Sequence, residues 1–186
     1  MARPVALLDA NVLYPARLRD LLIRLAIAGL YQARWTEQIL DECFENLHKD
    51  RPDLTAAQLS RTRRLMATAL PDATVTNYEA RIEEQDLPDA NDRHVLAAAL
   101  AAQATRLVTA NLRDFPAEKI PTGLLIVSPD AFVLGLADED LETVAEVIEA
   151  QAAALSNPPM TTNELLDGLA EVGLAASVKR LRAVLG

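Results

Sequence analysis

The chain has 186 residues, a hydrophobic content of 51% and a formal net charge of −9. This length suits one ordinary domain with a small appendage, and the apolar content is enough for a sizeable core. The negative charge excludes a protein that coats nucleic acid in general, because neutralising phosphates requires a basic face. It does not exclude a nuclease, because bound metal offsets the acidic side chains of such a site.

The expected compartment follows from the cysteine content and the first apolar segment. Cys43 is the only cysteine, which excludes an internal disulfide and suits a reducing compartment. The apolar stretch near the start of the chain ends at Asp9, which makes it too short for a secretory signal, and no apolar run approaches the length of a membrane span. We therefore expect a cytoplasmic protein that is not bound to a membrane.

Short apolar runs alternate with segments in which apolar residues recur at helical spacing. In chain order the pattern predicts a strand at residues 5–8, a helix that ends at Gly29, a strand at 33–35, helices at 37–48 and 55–69, a short strand at 74–76, a helix at 89–102, and strands at 106–109 and 124–127. Strands and helices of these lengths in alternation predict a three-layer α/β fold, with a mostly parallel central sheet flanked by helices.

The composition changes after Ser128, and the remaining chain reads as helices only. Thr161 and Glu164 have the spacing of a capping box at the start of one amphipathic helix. We divide the chain into a domain at residues 1–137 and a C-terminal helical extension at 138–186. The apolar faces of the extension must be covered by the body of the same domain, by a dimer mate or by a regulatory partner.

Acidic residues stand beside apolar runs at four separate places. Asp9 follows the first strand, Glu42 lies within a helix, Asp89 and Asp92 open another helix, and Asp114 follows a later strand. Side chains just past the carboxyl ends of parallel strands face a common crevice, so these carboxylates can converge there. Without a histidine or cysteine cluster, an all-oxygen site favours Mg²⁺ or Mn²⁺.

Ordinary helix-start chemistry is the competing interpretation for some of these acids. Two pairs have the spacing of an N-cap and the third helical residue: Asp89 with Asp92, and Asn111 with Asp114. Capping does not explain Asp9, which follows a strand directly, or Glu42, which lies well inside a helix. We interpret His94 as a residue of a helix face rather than a metal ligand.

Four segments, taken in order, resemble the successive motifs of PIN domains. They are Leu7-Leu-Asp-Ala-Asn-Val-Leu-Tyr-Pro15, Ile39-Leu-Asp-Glu-Cys-Phe-Glu-Asn-Leu47, Leu87-Pro-Asp-Ala-Asn-Asp-Arg-His-Val-Leu-Ala-Ala-Ala99 and Val108-Thr-Ala-Asn-Leu-Arg-Asp-Phe115. The likeness extends to the VapC-type toxins of bacterial type II toxin–antitoxin modules, some of which carry a similar helical extension.

The resemblance implies a set of site residues. Asp9, Glu42 and Asp92 match the first three acids of the family pattern, with Asp89 as an additional acid in the third motif. Asp114 is the candidate for the fourth acid, although Asn111 stands where many members carry an aspartate. Asn11 matches a polar position that supports the first acid. Asp9 and Asp92 are the implied ligands of the Mg²⁺ or Mn²⁺ ion.

The resemblance also implies a function and partners. The expected activity is metal-dependent endonucleolytic cleavage of RNA, such as a tRNA or another structured RNA, by a homodimer that a cognate antitoxin inhibits. One alternative is a catalytically degenerate PIN-like scaffold that binds proteins. A second is a haloacid-dehalogenase-like phosphatase with Asp9 as nucleophile, in which Asn11 replaces the acid expected two residues on.

Overall fold

A four-stranded parallel sheet forms the centre of the molecule in the computed structural model, which describes residues 3–185. The strands are β1 (Val5–Leu8), β2 (Gln32–Arg34), β3 (Arg106–Val108) and β4 (Leu125–Val127). Their order is β2-β1-β3-β4, and every neighbouring pair is parallel. The predicted parallel sheet is confirmed. The prediction of a strand at 74–76 is wrong, because that segment makes only one isolated bridge, from Thr74 to Trp35.

Helices flank this sheet and continue to the end of the described chain. They are α1 (Ala10–Leu13), α2 (Ala16–Ile27), α3 (Glu37–Asp50), α4 (Ala56–Ala69), α5 (Arg93–Ala101), α6 (Pro129–Glu139), α7 (Leu141–Ala154), α8 (Thr162–Glu171) and α9 (Ala175–Leu185). Within residues 3–185, no helix is long and apolar enough to cross a membrane.

Side-chain caps fix several helix starts where the sequence predicted them. Thr36 accepts a hydrogen bond from the backbone N–H of Ile39 at 3.0 Å and begins α3. The capping box of Thr161 and Glu164 forms as predicted at the start of α8. The helix predicted from residue 89 begins later, because a 3₁₀ turn at Ala90–Asp92 precedes α5.

The extension packs against the body of the same chain. This is one of the three ways in which its apolar faces were expected to be covered. Leu165, Leu166 and Leu169 of α8 are fully buried in the same apolar core as the sheet. The amide of Gln151 in α7 donates to the carbonyl oxygen of Arg17 in α2 at 3.0 Å. Helix α6 runs through the predicted boundary at residue 137, so the two parts share an element. The division into two domains stays a prediction.

The order of the strands creates a crevice at one edge of the sheet. The chain passes from β1 to its neighbour β2, and later returns to place β3 on the opposite side of β1. In open parallel sheets, ligands bind beyond the carboxyl ends of the strands at such a reversal of order. Asp9 follows β1, and Thr109 follows β3, so both residues stand at this point.

Candidate active site

Asp9 is held by three hydrogen bonds at the carboxyl end of β1. Its Oδ1 accepts from the backbone N–H of Ala10 at 2.7 Å, and its Oδ2 accepts from Asn11 Nδ2 at 3.0 Å and from Thr109 Oγ1 at 2.8 Å. The bond to Ala10 makes Asp9 the N-cap of α1, so the expectation that capping has no part in Asp9 is wrong. A carboxylate has about four lone-pair directions, and Asp9 therefore keeps one for a further ligand.

Asn11 and Thr109 form the support beneath this carboxylate. Asn11 Nδ2 also bonds Thr109 Oγ1 at 3.1 Å, and Asn11 Oδ1 accepts from the backbone N–H of Ala110 at 2.9 Å. Both ends of the Asn11 amide are thus engaged in fixing the loop after β3. Thr109 was not among the predicted site residues, although a polar residue ending an apolar strand was the available signal.

Despite these donors, burial disfavours the charged form of Asp9. Its exposed fraction is 6%, and burial raises the pKa of its carboxyl group. The hydrogen bonds from Thr109 and Ala10 lower the pKa, and the negative charge of Glu42 raises it again, so the net shift is upward. A cation would relieve this unfavourable burial of charge.

Asp92 precedes α5, yet its side chain makes no capping hydrogen bond. The neighbouring Asp89 is the residue that caps, because its Oδ1 accepts from the backbone N–H of Asn91 at 2.9 Å. Loss of solvation, followed by the charges of Asp114, Asp9 and Asp89, raises the pKa of Asp92 to about 6. The helix-start interpretation is therefore confirmed for the exposed Asp89, and Asp92 lies at the predicted third position of the turn without a capping hydrogen bond from its side chain.

Asn111 and Asp114, the second pair with the spacing of a helix start, differ in their surroundings. Asn111 stands at the predicted N-cap position of the 3₁₀ turn Leu112–Asp114, but its side chain makes no capping hydrogen bond. Asp114 is half-buried and lies near enough to Asp92 to raise its pKa.

Glu42 extends from α3 and contacts an imidazole from α5. His94 Nε2 lies 2.8 Å from Glu42 Oε1, with side-chain exposed fractions of 4% for His94 and 42% for Glu42. His94 thus lies on a helix face, as interpreted from the sequence, and that face is buried. Its contact with a predicted site residue was not foreseen.

These side chains line a cleft of about 340 Å³, which we call the acidic cleft. Its lining residues are Asp9, Ala10, Asn11, Tyr14, Glu42, Cys43, Asn46, Asp50, Asp92 and Asn111. Three of the five predicted catalytic acids therefore line it, whereas Asp89 and Asp114 lie outside the lining. Asp50 was not predicted. Neither lysine nor arginine is among the lining residues, so a phosphate group can approach these carboxylates only if a cation offsets their charge.

The donors of the acidic cleft fit a hard divalent cation. Within residues 3–185, no three acidic, histidine or cysteine side chains are arranged so that they alone could hold a metal ion. Mg²⁺ in proteins is commonly bound through one or two carboxylates, with water and substrate phosphate as the other ligands. Asp9 and Asp92, both with raised pKa values and without a basic partner in the lining, meet that description.

Comparison with known proteins gives the relationship. The sequence profile of the PIN domain matches residues 5–113, which is more than half of the chain. The chain belongs to the PIN-domain family. A profile described as the VapC50 C-terminal domain matches residues 129–183 of this PIN-domain protein, so the helical extension also has a counterpart in VapC-type proteins.

One curated relative of this PIN-domain protein comes from Mycobacterium tuberculosis H37Rv. It is named "Putative ribonuclease VapC50", and the two sequences are 40% identical over 93 residues. The alignment covers 48% of this chain and 55% of the relative, so about half of each protein is compared.

Proposed function

We propose that this PIN-domain protein is a metal-dependent endoribonuclease and the toxin of a toxin–antitoxin pair. The observation that carries the proposal is the acidic cleft at the reversal of strand order, where Asp9, Glu42 and Asp92 converge without a basic lining residue. Membership of the PIN-domain family and the similarity to a relative named as a ribonuclease support an RNA substrate. A tRNA or another structured RNA is the proposed class.

The proposed roles follow from the surroundings of each side chain. Asp9 and Asp92 would hold Mg²⁺ or Mn²⁺, which when bound lowers the pKa of a water ligand and offsets charge on the phosphate. Thr109 and Asn11 keep the Asp9 carboxylate in one orientation. Glu42 of α3, whose side chain also lines the acidic cleft, would orient the attacking water.

The remaining predicted acids have supporting roles in this proposal. Asp114 and Asp89 lie outside the lining but add negative charge around Asp92, which strengthens its attraction for a cation. The Asn111 amide lines the acidic cleft and is available to donate to a phosphate oxygen. In this proposal both residues contribute to the role of the fourth motif. Asp114 adds negative charge near Asp92, and Asn111 binds a phosphate oxygen.

The test is cleavage of total cellular RNA, with tRNAs resolved individually, by purified protein in Mg²⁺ or Mn²⁺. We expect discrete products that disappear in EDTA and in the Asp9→Asn and Asp92→Asn variants. Cleavage that survives both substitutions would contradict the assigned site. Folded, partner-free protein that cleaves no RNA in either metal would favour the alternative of a degenerate scaffold.

The phosphatase alternative is weakened by the hydrogen bonds of Asn11. A general acid is required two residues after the nucleophile in that mechanism, and an amide cannot supply a proton. Both ends of the Asn11 amide are also engaged, by Asp9, Thr109 and Ala110. Failure to hydrolyse small phosphate monoesters is the expected outcome.

We propose further that the antitoxin docks in a groove between α2 and α4. Ile27 and Leu65 line this groove of about 460 Å³, and their exposed fractions are 59% and 58%. The groove adjoins a second depression through Arg19, and Tyr14 lines both that depression and the acidic cleft. One polypeptide segment could therefore cover the apolar groove and bring a basic side chain to the carboxylates.

The docking proposal predicts that Leu65→Glu keeps RNA cleavage but loses inhibition by the antitoxin. Val184→Glu is the matched control, because Val184 is 50% exposed on α9, away from the groove. Equal inhibition of both variants would contradict the proposal. The homodimer implied by the resemblance is proposed separately, and light scattering of the purified protein tests it.

A further inference from the structure

His94 is an exception on the buried face of α5. The other buried residues of this helix are apolar: Val95, Leu96, Ala97, Ala98 and Ala99. Placing an imidazole among them is unfavourable unless its nitrogens are hydrogen-bonded. Within residues 3–185, neither ring nitrogen of His94 has a hydrogen bond of good geometry. A buried polar group in this state requires an explanation other than packing.

The polar contact of His94 is with Glu42. The 2.8 Å separation of His94 Nε2 and Glu42 Oε1 joins α5 to α3. Glu42 is the more exposed partner, and a long glutamate side chain in that position samples several rotamers unless a neighbour restrains it. His94 is fixed by its burial, so it is the member of the pair that can restrain the other.

The position of His94 also relates two acids of the acidic cleft. It lies two residues after Asp92, whereas Glu42 comes from a different helix. A contact between His94 and Glu42 therefore sets the Glu42 carboxylate relative to Asp92.

We propose that His94 is a positioning residue that holds the Glu42 carboxylate at the wall of the acidic cleft. The catalytic consequence rests on the proposed ribonuclease function. Displacing a reacting or orienting group by about an ångström can cost on the order of 100-fold in rate. Loss of the restraint on Glu42 should therefore lower kcat and leave KM for RNA nearly unchanged.

A set of substitutions separates positioning from packing. His94→Gln keeps a donor at the reach of Nε2, His94→Asn keeps a shorter polar group, and His94→Leu fills the volume without a donor. At saturating Mg²⁺ or Mn²⁺ we expect kcat to fall about 10- to 100-fold in the Leu and Asn variants and to recover in the Gln variant. The exposed His48 supplies the matched control, His48→Gln, with unchanged kcat.

The dependence on Glu42 is the decisive part of the test. In a Glu42→Gln background, His94→Leu should lower kcat by less than about twofold, because the restrained carboxylate is already absent. Wild-type kcat in both the Leu and Asn variants, or an equal loss with and without Glu42, would overturn the inference. If the Leu variant does not fold, the comparison of Asn with Gln gives the same decision.

Thermal unfolding tests the contact without any nuclease assay. The shift in Tm caused by His94→Asn should differ by at least about 2 °C between the wild-type and Glu42→Gln backgrounds. Equal shifts would overturn the inference. If the wild-type protein cleaves no RNA, the proposed function fails, and this difference in Tm alone decides whether His94 holds Glu42.

Discussion

Asp9 in the acidic cleft and Asp130, which joins α6 to the helical extension, have opposite pKa shifts. Asp130 of α6 accepts hydrogen bonds from the backbone N–H groups of Ala176 and Ser177, at 2.9 Å and 2.8 Å, and from Ser177 Oγ at 2.7 Å. Burial raises the pKa of Asp130, but these donors outweigh burial and hold its pKa below the usual value. Asp9 also accepts three hydrogen bonds, yet burial prevails and its pKa is raised.

The difference distinguishes a structural carboxylate from the carboxylates of the proposed cation site. Asp130 joins the start of α9 to α6 and has the donors that its charge requires. Asp92 makes no capping hydrogen bond, and loss of solvation together with the charges of three other acids raises its pKa. The contact between α6 and α9 is stabilised by hydrogen bonds within the protein, whereas Asp9 and Asp92 of the acidic cleft keep raised pKa values.

The largest expected effect is on RNA cleavage. Asp9→Asn or Asp92→Asn should lower kcat at least about 100-fold, more than the loss typical for residues that only support a metal ligand. Asp130→Asn is the matched control and should keep wild-type kcat, because Asp130 does not line the acidic cleft. Cleavage assays on all three variants make the comparison, and a large loss in Asp130→Asn would undo it.

A smaller loss is expected where the support of Asp9 is removed. Thr109→Val preserves shape but removes the hydroxyl that donates to Asp9 Oδ2. Activity and Mn²⁺ affinity should fall about 10- to 100-fold, as is typical for groups that orient a metal ligand. Thr109→Ser, which keeps the hydroxyl, should restore most of both quantities. Isothermal titration with Mn²⁺ provides the affinity, and equal affinities of the Val and Ser variants would contradict the assigned role.

The contact between α6 and the extension should affect stability rather than catalysis. Asp130→Ala removes the acceptor for three donors at the start of α9, at a cost of about 1–3 kcal/mol. We expect Tm at neutral pH to fall by about 2–8 °C. Because the folded pKa of Asp130 is lowered, its contribution is present above the ordinary pKa and is lost as the pH falls through the folded value. The Tm difference between wild type and variant should therefore shrink in acid.

Asp92 should show the opposite sign in protein kept free of metal by EDTA. Its folded pKa of about 6 exceeds the ordinary value of 3.8, so the folded state binds the proton more tightly than the unfolded state. Its contribution is most favourable below the ordinary value and is lost as the pH rises through about 6. Asp92→Asn should therefore raise Tm at pH 7, by about 2 °C, and the gain should diminish below pH 6. A lower Tm for the variant at pH 7 would contradict this account.

Saturating Mg²⁺ provides a second test of the difference between Asp92 and Asp130. A ligand that binds only the folded state raises Tm, so the cation should stabilise wild type more than Asp92→Asn. Asp130→Asn should retain the full stabilisation by Mg²⁺. Scans of Tm against Mg²⁺ concentration measure all three proteins.

Much of the fold followed from local chemistry in the sequence. Apolar runs marked the four strands, and the threonine caps at Thr36 and Thr161 marked helix starts that the structure confirms. The errors in the predicted elements also concerned short segments. Residues 74–76 lack a second strand partner beyond one bridge, and α1 exists because Asp9 caps a turn of only four residues.

The sequence predicted candidate site residues but not the contacts among them. The acids at strand ends and in helices could be named from the sequence, because strand and helix periodicity places them. The sequence could not show which of Asp89 and Asp92 makes the capping hydrogen bond, because either residue has suitable spacing for a cap. The loop before α5 decides it by giving the backbone N–H of Asn91 to Asp89.

The sequence by itself determined the parallel α/β sheet, the helical extension and the acids available for one site. Tertiary structure decided which polar groups meet. Thr109 reaches Asp9 across 100 residues of chain because β1 and β3 are neighbours in the sheet. His94 reaches Glu42 because α3 and α5 are brought together beside that sheet. Periodicity and capping depend on residues a few positions apart, whereas these contacts depend on how distant strands and helices are ordered in space.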